Sequence, residues 1–122
     1  MLSFETLSKY SMECPPRIML GRSMQVQSKY DTFMREDDNK CAFIEKIRII
    51  LNEKSFHFVK NDFPYHTVDG IEHWLCWYDN KTDINNIISL LKKKNNIITC
   101  WKNYSFNMSI QEINHIHVFI QK

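Results

Sequence analysis

Asn114-His115-Ile116-His117-Val118-Phe119-Ile120-Gln121 closes the chain with a strict two-residue alternation. Successive side chains of a strand point to opposite faces, so Ile116, Val118 and Ile120 share one side and His115, His117 and Phe119 the other. The aliphatic side predicts a strand held in a core. The other side then aims two imidazoles, about 7 Å apart along the strand, toward solvent or a ligand. Such a strand needs partners, and finding them decides the fold.

Working outward, residues 97 to 102 are β-branched and aromatic and predict a neighbouring strand. Residues 72 to 78, Glu-His-Trp-Leu-Cys-Trp-Tyr, predict another, bounded by the Val68-Asp69-Gly70 turn and by Asp79-Asn80. Earlier, Phe56 and Phe58 alternate with His57 and Val59 until Asn61-Asp62-Phe63-Pro64, where proline stops ladder pairing. A hairpin is the simplest pairing of these two. Thr82 or Asp83 can cap a helix running to Lys94, with Ile84, Ile87, Ile88 and Leu91 inward and Asn95-Asn96 ending it.

Two helices precede the strands. Over residues 23 to 35, Val26, Tyr30, Phe33 and Met34 recur on one helical face. Over residues 39 to 53, capped by Asp37 or Asp38, Phe43, Ile47, Ile50 and Leu51 face inward while Glu45, Lys46 and Arg48 face out. Residues 1 to 22 mix Phe4, Leu7, Tyr10, Ile18, Met19 and Leu20 with Pro15-Pro16 and Gly21. That mixture predicts a wrapping arm with turns, which packs on the core without building it. The expected architecture is α+β: an antiparallel sheet of four or five strands, two N-terminal helices, and one helix between the hairpin and the last two strands. The expected division is an arm over 1–22 and a single domain over 23–122.

Composition narrows the function classes. A chain of 122 residues is the size of one ordinary domain, and 43% hydrophobic residues supply apolar surface for its core. The formal charge of +2 is too slight for a dedicated nucleic-acid binder. Lys92-Lys93-Lys94, the one basic run, suits a helix C-terminus. Cys14, Cys41, Cys76 and Cys100 lie far apart with no C-x-x-C pair, and no secretory segment opens the chain, so free thiols in a reducing compartment are expected. Nor does any stretch reach the ~18–20 apolar residues of a membrane span.

The His-x-His pair carries the chemistry under three readings. It can be a ligand or catalytic site, since one imidazole is a usable nucleophile when its tautomer is fixed and a second can hold phosphate oxygens. It can be a pair of structural strand histidines. It can also ligate metal with His73 or Cys76, but alternation sends those two to opposite faces, so neither a metal nor a cofactor is expected. Trp74, Trp77, Tyr78 and Trp101 are core bulk or a stacking platform for a base or sugar.

Here the residues reach a resemblance. Gln111-Glu112-Ile113-Asn114-His115-Ile116-His117-Val118-Phe119-Ile120 resembles the closing motif of the histidine-triad (HIT) superfamily of nucleotide hydrolases and transferases, in which Gln-Ser-Val-x leads into His-x-His-x-His. Asn61-Asp62-Phe63-Pro64-Tyr65 followed by Glu72-His73-Trp74-Leu75-Cys76-Trp77 is similar to that superfamily's Asp-x-x-Pro and His-x-Leu hairpin. The likeness spans about residues 56 to 121. The motif is degenerate: Phe119 takes the third histidine's place, Glu112 the serine's, and Ser105-Phe106-Asn107-Met108-Ser109 that of a glycine-rich approach.

The resemblance implies a HIT-like fold that binds a nucleotide or phosphosugar. It implies His117 as nucleophile toward an α-phosphate, with His115 and His73 positioning phosphate and leaving group. Gln111 would line the pocket, and Phe119 and Trp77 would stack on base or sugar. The implied activity is a phosphoric-anhydride or phosphoramidate hydrolase, or a nucleotidyl transferase, in a protein that can pair as a homodimer. The alternative is an inactive interaction protein that keeps the fold. The chain also resembles a narrower, uncharacterised family, that of fungal N-acetylglucosamine-induced protein 1 and proteins of large DNA viruses, through Asn-Asp-Phe-Pro-Tyr, His-Trp-Leu and His-x-His-Val-Phe. That likeness implies a cytoplasmic setting, the host cytoplasm for a viral member. A catalytic His117 should be hydrogen-bonded to a carbonyl or carboxylate and open to phosphate; a buried, crowded one favours the interaction reading.

Overall fold

The computed structural model describes residues 1–10, 13–16, 19–104, 108 and 110–122. In chain order its elements are α1 (Phe4–Lys9), α2 (Met24–Arg35), α3 (Asp37–Glu53), β1 (Phe56–Lys60), β2 (Ile71–Tyr78), α4 (Ile84–Lys94), β3 (Ile97–Trp101) and β4 (Asn114–Gln121). The four strands form one antiparallel sheet in the order β1-β2-β4-β3. The chain is therefore α+β, with the hairpin and the intervening helix where the periodicity predicts them.

Local chemistry fixes the element ends. Ser23 accepts from the Val26 amide to cap α2, and Asp83 accepts from the Asn85 amide to cap α4. Three lysines fill the last turn of α4, where cations suit the helix dipole. Between Tyr65 and β2 the chain reverses at Gly70, whose φ of 91° is a conformation that side chains with a Cβ resist. Helix α3 begins two residues earlier than expected, with Glu36 at its N-cap and no side-chain capping bond.

The sheet is covered on both faces. On one, α4 lays Ile87, Ile88 and Leu91 over Cys76, Cys100, Ile116 and Val118, with Phe58 stacked on Trp74 at 4.7 Å. On the other lie two separate clusters: Leu2, Leu7, Cys14, Trp101 and Phe119 toward the N-terminal segment, and Ile44, Ile47, Trp77, Ile110 and Ile113 toward α3. The histidines sit between them.

The N-terminal segment departs from expectation in two ways. Its residues 4 to 9 form a short helix, started by Ser3 accepting from the Thr6 amide. It also builds core, because Leu2 and Leu7 are fully buried against the sheet. The Leu2 amide donates to the His66 carbonyl, the Val68 amide to the Leu2 carbonyl, and the Thr99 hydroxyl to the Tyr10 carbonyl. These bonds give the segment a fixed path that apolar content alone does not reveal. Ile18 lies outside the described residues, as do 105–107 and 109 of the approach to β4.

None of the four cysteines is disulfide-bonded; Cys14, Cys76 and Cys100 are buried and Cys41 is exposed. Among the described residues no helix is long and apolar enough to cross a membrane.

Candidate functional site

The second face of β4 is not open to solvent. His115 retains 7% of its exposure, His117 5% and Phe119 none, because α2, α3 and the N-terminal segment close over that side. Between the closing elements and the sheet they leave a cavity of about 750 Å³. His115, His117 and Trp77 line its floor, Tyr30 and Phe33 come from α2, and Lys46 comes from α3. This explains why α2 has an apolar face but no fully buried residue: that face looks into the cavity.

Each histidine is held differently. His73, across the sheet on β2, lies within 2.7 Å of His117, Nε2 to Nδ1. Its own Nδ1 accepts from the Tyr65 amide at 2.9 Å, with the Asn61 side-chain amide at 3.5 Å on the same atom. The Asn-Asp-Phe-Pro-Tyr turn makes this contact possible: Asn61 Oδ1 accepts from the Phe63 amide, and the Asn61 amide donates to the His73 carbonyl, folding the chain so that Tyr65 meets His73. His115 instead donates Nδ1–H to the Ile113 carbonyl at 3.2 Å.

Rings stack around these bonds. Tyr65 lies nearly parallel to His117 at 5.3 Å, His73 covers Phe119 at 4.5 Å, and Trp77 leans on His115 at 4.4 Å. Asn103 ties the cluster to the core, accepting from Trp101 Nε1 and donating to the Tyr65 hydroxyl, both at 2.9 Å. At the cavity wall the Arg22 guanidinium lies 4.0 Å over the Tyr30 ring and 5.1 Å from that of Tyr65, with Nε donating to the Phe63 carbonyl.

Burial sets the charge states. Loss of hydration pushes His73 down to about 3, and it lowers His115 and holds His117 well below the ordinary imidazole value, with neighbouring cationic groups adding to each. All three are neutral at pH 7. Two buried nitrogens of residues that line the cavity, His117 Nε2 and Trp77 Nε1, have no hydrogen-bond partner among the described residues. Leaving a buried donor unsatisfied typically costs about 1–3 kcal/mol. Such groups in a cavity are candidates for ligand contact.

The structure sorts the residues singled out from sequence. His115, His117 and Trp77 are brought together on the cavity wall. His73 stands behind His117 and touches the cavity only through it. Phe119 is fully buried core, stacked between His73 and Trp101, so it is not positioned to stack on a ligand. Gln111 is exposed and stands off the cavity wall. Glu72 pairs with Lys60 at 2.9 Å. Sequence reading missed Arg22, Tyr65 and Asn103, and it turned outward Lys46, which is exposed as expected but also lines the cavity. Of these only Tyr65 had a signal, its place at the end of the Asn-Asp-Phe-Pro turn.

No protein-family model matches the chain, and no curated protein does. Among solved structures the chain is similar to the crystal structure of HTC1, with a TM-score of 0.74 at 17% identity, over 100% of this chain and 86% of that one. At that identity the likeness speaks for the fold alone.

Proposed function

We propose that this protein binds a small phosphorylated ligand, a nucleotide or phosphosugar, in the cavity between α2, α3 and the histidine face of a HIT-like sheet. The observation that carries the reading is His117, a 95% buried residue that lines a 750 Å³ cavity and whose Nε2 has no partner among the described residues. A cavity of that size, lined by aromatic and aliphatic side chains and by nearly as many polar and charged ones, has room for a ligand of nucleotide or sugar-phosphate dimensions. Arg22 and Lys46 supply cationic groups on its wall for phosphate. Tyr30, Phe33 and Trp77 supply flat surfaces for a ring.

Binding, rather than covalent turnover at His117, is the better-supported role. A nucleophilic imidazole is expected to donate one nitrogen to a carbonyl or carboxylate, and His117 makes its bond to another histidine instead. Its burial and its crowding by Tyr65 and His73 limit its approach to a phosphorus atom, which favours a protein that keeps the fold without turnover over an enzyme.

The test is a panel of nucleoside monophosphates, nucleotide conjugates and hexose phosphates, read by thermal shift, calorimetry and intact mass. At least one should raise the unfolding temperature saturably, with affinity falling tenfold or more in His117→Phe and no mass added to His117. Absence of binding by every class overturns the proposal, and a nucleotidyl adduct on His117 overturns the noncovalent role.

A further inference from the structure

The hydrogen bonds around the cavity form a one-way sequence. A backbone amide only donates, so His73 Nδ1, which faces the Tyr65 amide at 2.9 Å, must be the accepting nitrogen. In a neutral imidazole the proton then sits on Nε2, which donates to His117 Nδ1 at 2.7 Å. His117 Nδ1 is thereby the acceptor, and its own proton is forced onto Nε2, the buried and unpartnered nitrogen of a ring that lines the cavity. His115 has the opposite arrangement. A carbonyl only accepts, so Ile113 holds the proton on His115 Nδ1 and leaves Nε2 bare.

We infer that His73 is a positioning residue that fixes His117 as a donor beside the acceptor His115, so that the cavity recognises a sugar hydroxyl at its histidines and leaves the phosphate to Arg22 and Lys46. This rests on the ligand-binding reading above and deepens it. The two ring centroids lie 5.6 Å apart, so that a hydroxyl seated between the rings would accept from His117 Nε2–H and donate to His115 Nε2. A fully ionised phosphate could accept from His117 but would set its charge against the bare nitrogen of His115, whereas a hydroxyl satisfies both. Burial keeps both rings neutral, which withholds the charge attraction that would otherwise draw phosphate to them.

Long-range proton–nitrogen NMR of the nitrogen-15-labelled full chain reads the tautomers directly. At neutral pH, His73 and His117 should each be protonated at Nε2 alone and His115 at Nδ1 alone. His117 protonated at Nδ1, or an even mixture, overturns the assignment without any variant. His73→Phe keeps a ring against Phe119 but removes both bonds, and His117 should then show a tautomer mixture; an unchanged His117 spectrum in a folded variant also overturns it. Two ligand arms separate the sources of the hydroxyl: nucleoside monophosphates against their 2′,3′-dideoxy forms, and hexose phosphates against monodeoxy forms. Removing the recognised hydroxyl should weaken binding tenfold or more in the wild type and threefold or less in His73→Phe. Equal affinity with and without each hydroxyl overturns the hydroxyl assignment while phosphate binding stands. No binding in either arm overturns the ligand-binding reading together with the hydroxyl assignment, and the spectrum still decides the role of His73.

Discussion

The two faces of β4 carry alternate residues of the same eight-residue strand, yet they are built by opposite means. The Ile116, Val118 and Ile120 face is sealed by one amphipathic helix, α4, whose residues follow the β1–β2 hairpin directly in the chain. The His115, His117 and Phe119 face is covered by pieces from α1, α2, α3, the turn before β2 and the stretch before β4. Dry packing follows from one periodic pattern meeting another. Polar packing needs several distant segments to place single donors and acceptors, and here it leaves a cavity where they converge.

The largest difference should appear when the same residue is placed on each face. Val118→Asn removes a fully buried aliphatic and leaves an amide in dry core, a loss of about 3–5 kcal/mol. His117→Asn, one position away, faces the cavity and can still accept from His73 Nε2–H through its side-chain oxygen, so it should cost about 1–2 kcal/mol. Denaturant unfolding of both measures the contrast. Equal losses would mean that the two faces do not differ in polar tolerance.

Legibility follows the same division. The hairpin, α4 and the aliphatic face of β4 were readable because period-two and period-3.6 patterns lie within single segments, as with Ile84, Ile87, Ile88 and Leu91. The histidines were readable as a pair sharing a face, but their burial was not. It depends on Leu2 and Leu7, whose segment carries no long periodic pattern and is tied down by backbone bonds to His66, Val68 and Thr99. Phe119 shows the consequence. Its place in the alternation sends it to the histidine side, and only the N-terminal cover turns that side into core around it. Arg22 and Lys46 reach the cavity from helices or their edges, where a cation ordinarily reads as a solvated group.

The two faces should also differ in pH dependence, because the acid limb comes from the histidine face alone. His73 titrates near 6.5 in the unfolded chain and about 3 in the folded one, so between those values the unfolded chain binds a proton that the folded chain refuses. Stability is therefore full above pH 6.5 and falls on acidification by about 1.4 kcal/mol per pH unit from His73 alone, with His115 and His117 acting in the same direction. The carboxylates whose values are lowered, Glu72, Asp79 and Glu112, act only below their ordinary range near pH 4 to 4.5 and do not account for losses above it. On the α4 face, burial pushes the Cys76 thiol up to about 12 and raises Cys100. There the folded chain keeps protons that the unfolded chain releases, so stability present below pH 9 declines above it. Burial raises Cys14 on the histidine face as well, so that face shares the alkaline limb, and Tyr30, Tyr65 and Tyr78 join from about pH 10. Chemical denaturation across pH 5–10 should show both limbs, with His73→Phe reducing the acid one and Cys76→Val the alkaline one.

The smallest effect isolates the bond that makes the histidine face distinctive. His117→Phe leaves His73 Nε2–H buried without an acceptor but also removes the unpartnered His117 Nε2–H. His73→Phe leaves the Tyr65 amide without its acceptor and His117 Nδ1 without its donor. In the double variant only the Tyr65 amide remains unsatisfied by these changes. Adding His117→Phe to His73→Phe should therefore be neutral or stabilising, whereas adding it to the wild type should destabilise. The coupling in a double-mutant cycle should be about 1–2 kcal/mol, with the double variant more stable than the sum of single losses predicts. A cycle that closes to within about 0.3 kcal/mol would mean that the 2.7 Å contact carries no coupled hydrogen bond. The histidine face would then be held by ring stacking and burial alone, the same physics as the face covered by α4.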